Sequence, residues 1–203
     1  MALFKSNKDS NASTETSKAQ TTFVSEGIEV TGNIKGTGAV QVEGTLHGNI
    51  AVNSVIIGEA GIVNGVIHAK YVVINGKLNG GITCESLEIM KNGHVANVIN
   101  VKKLKISGFA EGEIDAEDEI IVSKEGKIKA REMLSKNIIV NGSFSGNVTA
   151  SELLEIGEAG SVEGEITVKN IKTHEGGKLI GSMRNYEAPK SSKKEDVAKK
   201  TAK

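Results

Sequence analysis

Four histidines, His47, His68, His94 and His174, are the residues best able to ligate a metal or move a proton, and their spacing suits neither task. None stands in a His-x-x-x-His pair, and the single cysteine, Cys84, leaves no His-Cys-Cys set for zinc. His47 falls on the outward phase of its segment, where imidazoles are ordinarily solvated. Neither the P-loop pattern Gly-x-x-x-x-Gly-Lys-Ser/Thr nor the dinucleotide pattern Gly-x-Gly-x-x-Gly occurs. Gly58-Glu59-Ala60-Gly61 and its copy Gly157-Glu158-Ala159-Gly160 could suggest a phosphate cradle, but no helix follows to present its N-terminus to an anion. Asp115, Glu117 and Asp118 cluster as a solvated corner would. A glycosidase or lyase groove would also need aromatics, which are only 3% of the chain. No catalytic residue, metal site or cofactor is therefore expected.

What positions these residues must be sought in the composition. The 203 residues carry 25 basic and 25 acidic side chains, and only 38% are hydrophobic. Zero net charge argues against a nucleic-acid footprint. No apolar run is long enough for a membrane-spanning helix. Met1-Ala2-Leu3-Phe4-Lys5 lacks the apolar core of a secretory signal. One cysteine cannot make a disulfide framework and fits a reducing, cytoplasmic setting. All 24 glycines lie between Gly27 and Gly181, so a glycine-bearing body stands between two polar tails.

The body is a repeat. Gly58–Gly65 returns as Gly157–Gly164, and the intervening chain aligns on one column: Ile34, Ile50, Ile67, Ile82, Ile99, Ile114, Glu132, Val148, Ile166 and Met183. Four positions earlier every residue is apolar, from Val30 and Leu46 to Leu179. Two positions earlier eight of ten are glycine, with Asn97 and Ala130 as the exceptions. Within each unit apolar and polar residues alternate, as in Val40, Val42, Gly44, Leu46, Gly48, Ile50 and Val52. A period of two means extended strands with one buried face.

Units of 15–18 residues running in one direction must stack their strands in parallel. The expected fold is all-β: a single-stranded parallel β-solenoid of about ten turns, roughly 48 Å long at ordinary strand spacing. Glycines fall at corners, and some units add two residues at one corner, as at Gly58–Gly61 and Met90–Gly93. Arg131-Glu132-Met133 interrupts the column and predicts a bulge. Cys84 aligns with Ala69 and Val101, which marks it as a small buried hydrophobe. The expected boundaries are a disordered tail over 1–24, a core over 25–184 and a Lys-rich disordered tail over 185–203.

Val42-Glu43-Gly44-Thr45-Leu46-His47-Gly48-Asn49-Ile50 resembles the opening motif of bactofilins, polymer-forming bacterial cytoskeletal proteins. Val55-Ile56-Ile57-Gly58, the phrase Val63-Asn64-Gly65-Val66-Ile67-His68-Ala69 and the closing Gly177–Arg184 carry the same resemblance. Left-handed hexapeptide-repeat acyltransferases fit less well, because no six-residue period and no recurring histidine are present. The resemblance implies a right-handed β-helix that assembles end to end without nucleotide. It further implies filaments beneath the cytoplasmic membrane that scaffold enzymes of cell-wall synthesis or hydrolysis and set cell shape.

Two sets of residues become candidates for contact. Open solenoid ends expose unpaired backbone over an apolar core, which selects Phe23, Val24, Ile28 and Val30 at one end and Ile171, Leu179 and Met183 at the other as the polymer interface. Met1, Ala2, Leu3 and Phe4, followed by Lys5 and Lys8, form an apolar and basic cluster suited to a membrane surface. A monomeric solenoid binding a protein or polysaccharide is the competing reading. Outward positions are mixed Lys, Glu, Asn, Ser and Thr, with Phe109 and Tyr71 isolated among them, so no one-sided face favours it.

Overall fold

The computed structural model describes residues 21–187, and the tails on either side, with the membrane-contact candidates Met1 to Lys8 and the lysines from Lys190 onward, lie outside them. Eighteen strands form the described chain, and every strand pairing is parallel. No helix occurs among the described residues, and none therefore is long and apolar enough to cross a membrane. The chain winds as a three-walled solenoid. Wall one begins with Thr21–Val24, wall two with Glu29–Thr31 and wall three with Ile34–Lys35, and the next turn restarts at Ala39–Val42. From the fifth turn onward walls two, three and one merge into long bent strands such as Phe109–Val122.

Inward residues stack as ladders. Leu46, Val63, Leu78, Val95, Ala110, Ile128, Phe144 and Val162 occupy one inner column, all at most 2% exposed. A narrow interior filled this way admits small aliphatics and one Phe, which explains the low aromatic content. Strand pairing among the described residues already includes Thr21–Val24, since Val24 registers with Val42 and is buried.

The turn-seven column also differs from the sequence alignment. Met133, not Glu132, registers between Ile114 and Val148, and Ser135, not Leu134, registers between Ala116 and Ala150. The extra residue is Arg131, where the ladder slips on both sides. Its cause lies in the corner between walls two and three. Glycines at this corner have φ between 124° and 153°, and Asn97 has 103°. Ala130 stands in the same column without such a φ. Because alanine resists that region, the turn spends one more residue, and the bulge replaces the left-handed step.

Ser135 has a consequence of its own. It is 8% exposed, and its hydroxyl has no hydrogen-bond partner. Its neighbours above and below are alanines. Ser135→Ala should therefore stabilise the fold by about 1 kcal/mol, by removing an unsatisfied buried oxygen. A denaturant melt showing a loss of stability would refute this.

A second corner, between walls one and two, alternates in length. Four-residue turns at Ser25–Ile28, Gly58–Gly61, Met90–Gly93, Ser123–Gly126 and Gly157–Gly160 each close with an i to i+3 backbone bond. Two-residue links such as Glu43-Gly44, Asn75-Gly76 and Ser107-Gly108 lie between them. Long turns thus become neighbours across two levels. Asn92 Nδ2 donates to Glu59 Oε1 at 3.2 Å and Lys91 Nζ to Glu125 Oε1 at 3.1 Å, each skipping a short link. The last long turn, His174–Gly177, directly follows another and breaks the alternation.

Candidate assembly interface

Among the described residues nothing covers either end of the rod. At the first turn Phe23 is 55% and Ile28 52% exposed, and Val30 and Ile34 are half-buried against the core. Ile28 stands where later turns have Gly44, Gly61 and Gly76, whose added Cβ would meet a carbonyl oxygen of the turn beneath. No described residue lies beneath the first turn, so the larger side chain fits there. Thr22 and Gly36 stand below Val40 and Val52 and leave a shallow dent of about 290 Å³, lined also by Ile34 and Ala39. At the last turn Ile171 is 37% and Met183 52% exposed, and Leu179 packs half-buried on the core.

The expected polymer residues therefore divide between the two ends of the rod, with one difference among them. Val24 is only 6% exposed, being already covered by its own fold. Ile180 was not selected from sequence although it is 56% exposed at the last turn. It falls on the outward phase, so alternation hides it; only its place on the final turn marks it.

Residues with chemical potential are dispersed. Among the described residues no group of His, Cys, Asp and Glu is arranged to hold a metal. His47 Nε2 lies 3.4 Å from Glu29, and His174 Nε2 lies 2.5 Å from Glu155. Hydrogen bonds from His174 and then Lys172 hold Glu155 below the usual carboxylate range. Asp118 is likewise lowered, chiefly by the hydrogen bond that Lys136 donates at 2.9 Å. Phe109 is not isolated: its ring stacks on His94 at 4.8 Å and 13°. Tyr71 stands between Ser54 and Ser86 in its column, with no aromatic neighbour there.

Cys84 is buried in its column beside Val101, and burial, followed by the charge of Glu85, pushes its thiol up to about 12. The thiolate is the reactive form. At neutral pH a thiol reagent should therefore leave the folded chain unlabelled and modify it only after denaturation. Rapid native labelling would show that the column opens.

No curated protein and no solved structure matches the chain. A family model described as bactofilin, polymer-forming cytoskeletal, matches twice, over residues 22–107 and 97–184. The two matches together span the solenoid from its first turn to its last. The chain therefore belongs to the bactofilin family of polymer-forming cytoskeletal proteins.

Proposed function

We propose that this chain is a structural subunit, not an enzyme, whose copies assemble end to end into nucleotide-independent filaments beneath the cytoplasmic membrane. There the filaments scaffold cell-wall or cell-shape machinery. The observation that carries the reading is the pair of apolar ends that no described residue covers, with Phe23 and Ile28 exposed at one and Ile171, Ile180 and Met183 at the other. Soluble solenoids usually cover such ends with a polar capping unit, and burying these side chains against another copy is favourable at roughly 25 cal/mol per Å². Family membership supports self-association. Membrane attachment rests on the residues Met1 to Lys8, which would act together once many copies are joined.

Purified protein should form filaments visible by electron microscopy with neither ATP nor GTP. Ile28→Arg or Met183→Arg should leave folded monomers, since both side chains are already exposed. These should keep the β spectrum and melt below the filaments only by what assembly contributes. A monomeric unmodified chain at high concentration would overturn the proposal. Leu3→Ser with Phe4→Ser should release filaments from anionic liposomes without dissolving them, and unchanged co-sedimentation would remove the membrane part alone.

A further inference from the structure

Wall one carries two outward columns, and their order along the rod is informative. The first column reads Phe23, Gln41, Ile56, Val73, Glu88, Lys105, Ile121, Ile139, Glu155 and Lys172 from turn one to turn ten. Apolar stretches thus alternate with Glu–Lys steps, in which Lys105 Nζ reaches Glu88 at 2.8 Å and Lys172 Nζ reaches Glu155 at 3.1 Å. The second column is mostly small or neutral, with Tyr71 in turn four and the charges Lys103 and Glu119 in turns six and seven.

A two-fold axis laid along the strands turns a second rod end over end and keeps each column facing its own copy. Turn five then meets turn six, four meets seven, and three meets eight. Glu88 faces Lys105 of the second rod, and Lys105 faces its Glu88. Val73 meets Ile121, and Ile56 meets Ile139. In the other column Tyr71 meets Glu119, whose carboxylate can accept from the phenol, and Lys103 meets Ser86. No like charges oppose one another on this wall. The same operation on wall two sets Lys77 against Lys127, and on wall three Lys35 against Arg184. A parallel pairing, with the axis along the rod, brings the two columns of wall one together and sets Lys103 against Lys105. Like charges in contact are penalised at an interface.

We infer that wall one is a lateral interface on which a second copy of this chain docks antiparallel, with Ile56 against Ile139 and Glu88 against Lys105. A wall about 48 Å long and about 13 Å wide, from strand spacing and four residues of strand, offers each copy about 600 Å². That is below the roughly 800 Å² per partner of a standard interface. The contact is therefore weak for one pair of rods and cumulative along filaments. It is separate from the end-to-end contact, since it uses none of the residues at the open ends for its central matches.

The test uses the full chain with Cys84→Ala, made in two versions bearing Ile56→Cys or Ile139→Cys. Both positions point outward, so the fold is kept. Mixed, the two versions should yield a dimer with a short bis-maleimide, and each version alone should not. Positions 56 and 139 lie five turns apart, about 24 Å, so no crosslink within one rod can imitate the result. Separately, Ile56→Lys and Ile139→Glu should each abolish side-by-side association in sedimentation, and the double variant should restore it. A crosslink from either single version alone, or none from the mixture, overturns the proposal. Rods without filaments still present wall one, and a covalent crosslink traps even a weak encounter. Failure of end-to-end assembly would therefore leave the crosslinking readout intact, and only the sedimentation readout depends on filaments.

Discussion

Gly65→Ala should cost about 3–5 kcal/mol of folding free energy, whereas Gly32→Ala in the same column should cost only about 1–2 kcal/mol. Both residues have a φ that alanine disfavours, 153° and 140°. They differ in what a methyl group would meet. At Gly65 the added Cβ would lie 2.1 Å from the carbonyl oxygen of Gly48, which is fixed in the ladder beneath. At Gly32 no described atom stands within 4 Å, because Gly32 belongs to the first described turn. Urea melts of the two variants, on a background carrying Met183→Arg to keep the rods apart, compare them directly. Equal losses would mean that the backbone at Gly48 yields, and that the column is glycine for its φ alone.

Deleting Arg131 should destabilise the chain by about 2–4 kcal/mol, and adding Ala130→Gly to the deletion should recover most of that loss. Without the extra residue, Ala130 must take the left-handed step that Gly112 and Gly146 take on either side. Its methyl would then press on Gly112, as an added Cβ on Gly146 would press on the carbonyl of Ala130 at 1.7 Å. Glycine removes both objections at once. If the deletion melts at the same denaturant concentration with alanine or glycine at 130, the bulge has some other origin.

The ladders were legible in sequence because an inward position admits only apolar side chains and recurs once per turn. Val63, Leu78 and Val95 declare themselves through that constraint alone. Turn seven misled the alignment by one place because Glu132 and Met133 are adjacent, and a single inserted residue leaves no mark until the hydrogen-bond register is known. Anchoring on buried Met133 would have found it, since the apolar residue must take the inner place. The division of wall one into apolar and ionic stretches was hidden for another reason. Outward residues are free to vary, and their meaning depends on which turns lie opposite in a second molecule. Stacking of His94 on Phe109 escaped likewise, since the two residues are a full turn apart in sequence.

The alternation of long and short corners makes the rod's axial period two strands, not one. Over the first nine turns the same edge profile returns at each second level, and the bridges from Asn92 to Glu59 and from Lys91 to Glu125 follow that doubled step. An aligned fibre of such rods would therefore scatter X-rays along its axis at about 4.8 Å, the strand spacing, and also at about twice that value. The long spacing would arise from a covalent pattern within each subunit. It would persist whichever way the subunits were joined, so it marks the chain and not its mode of assembly.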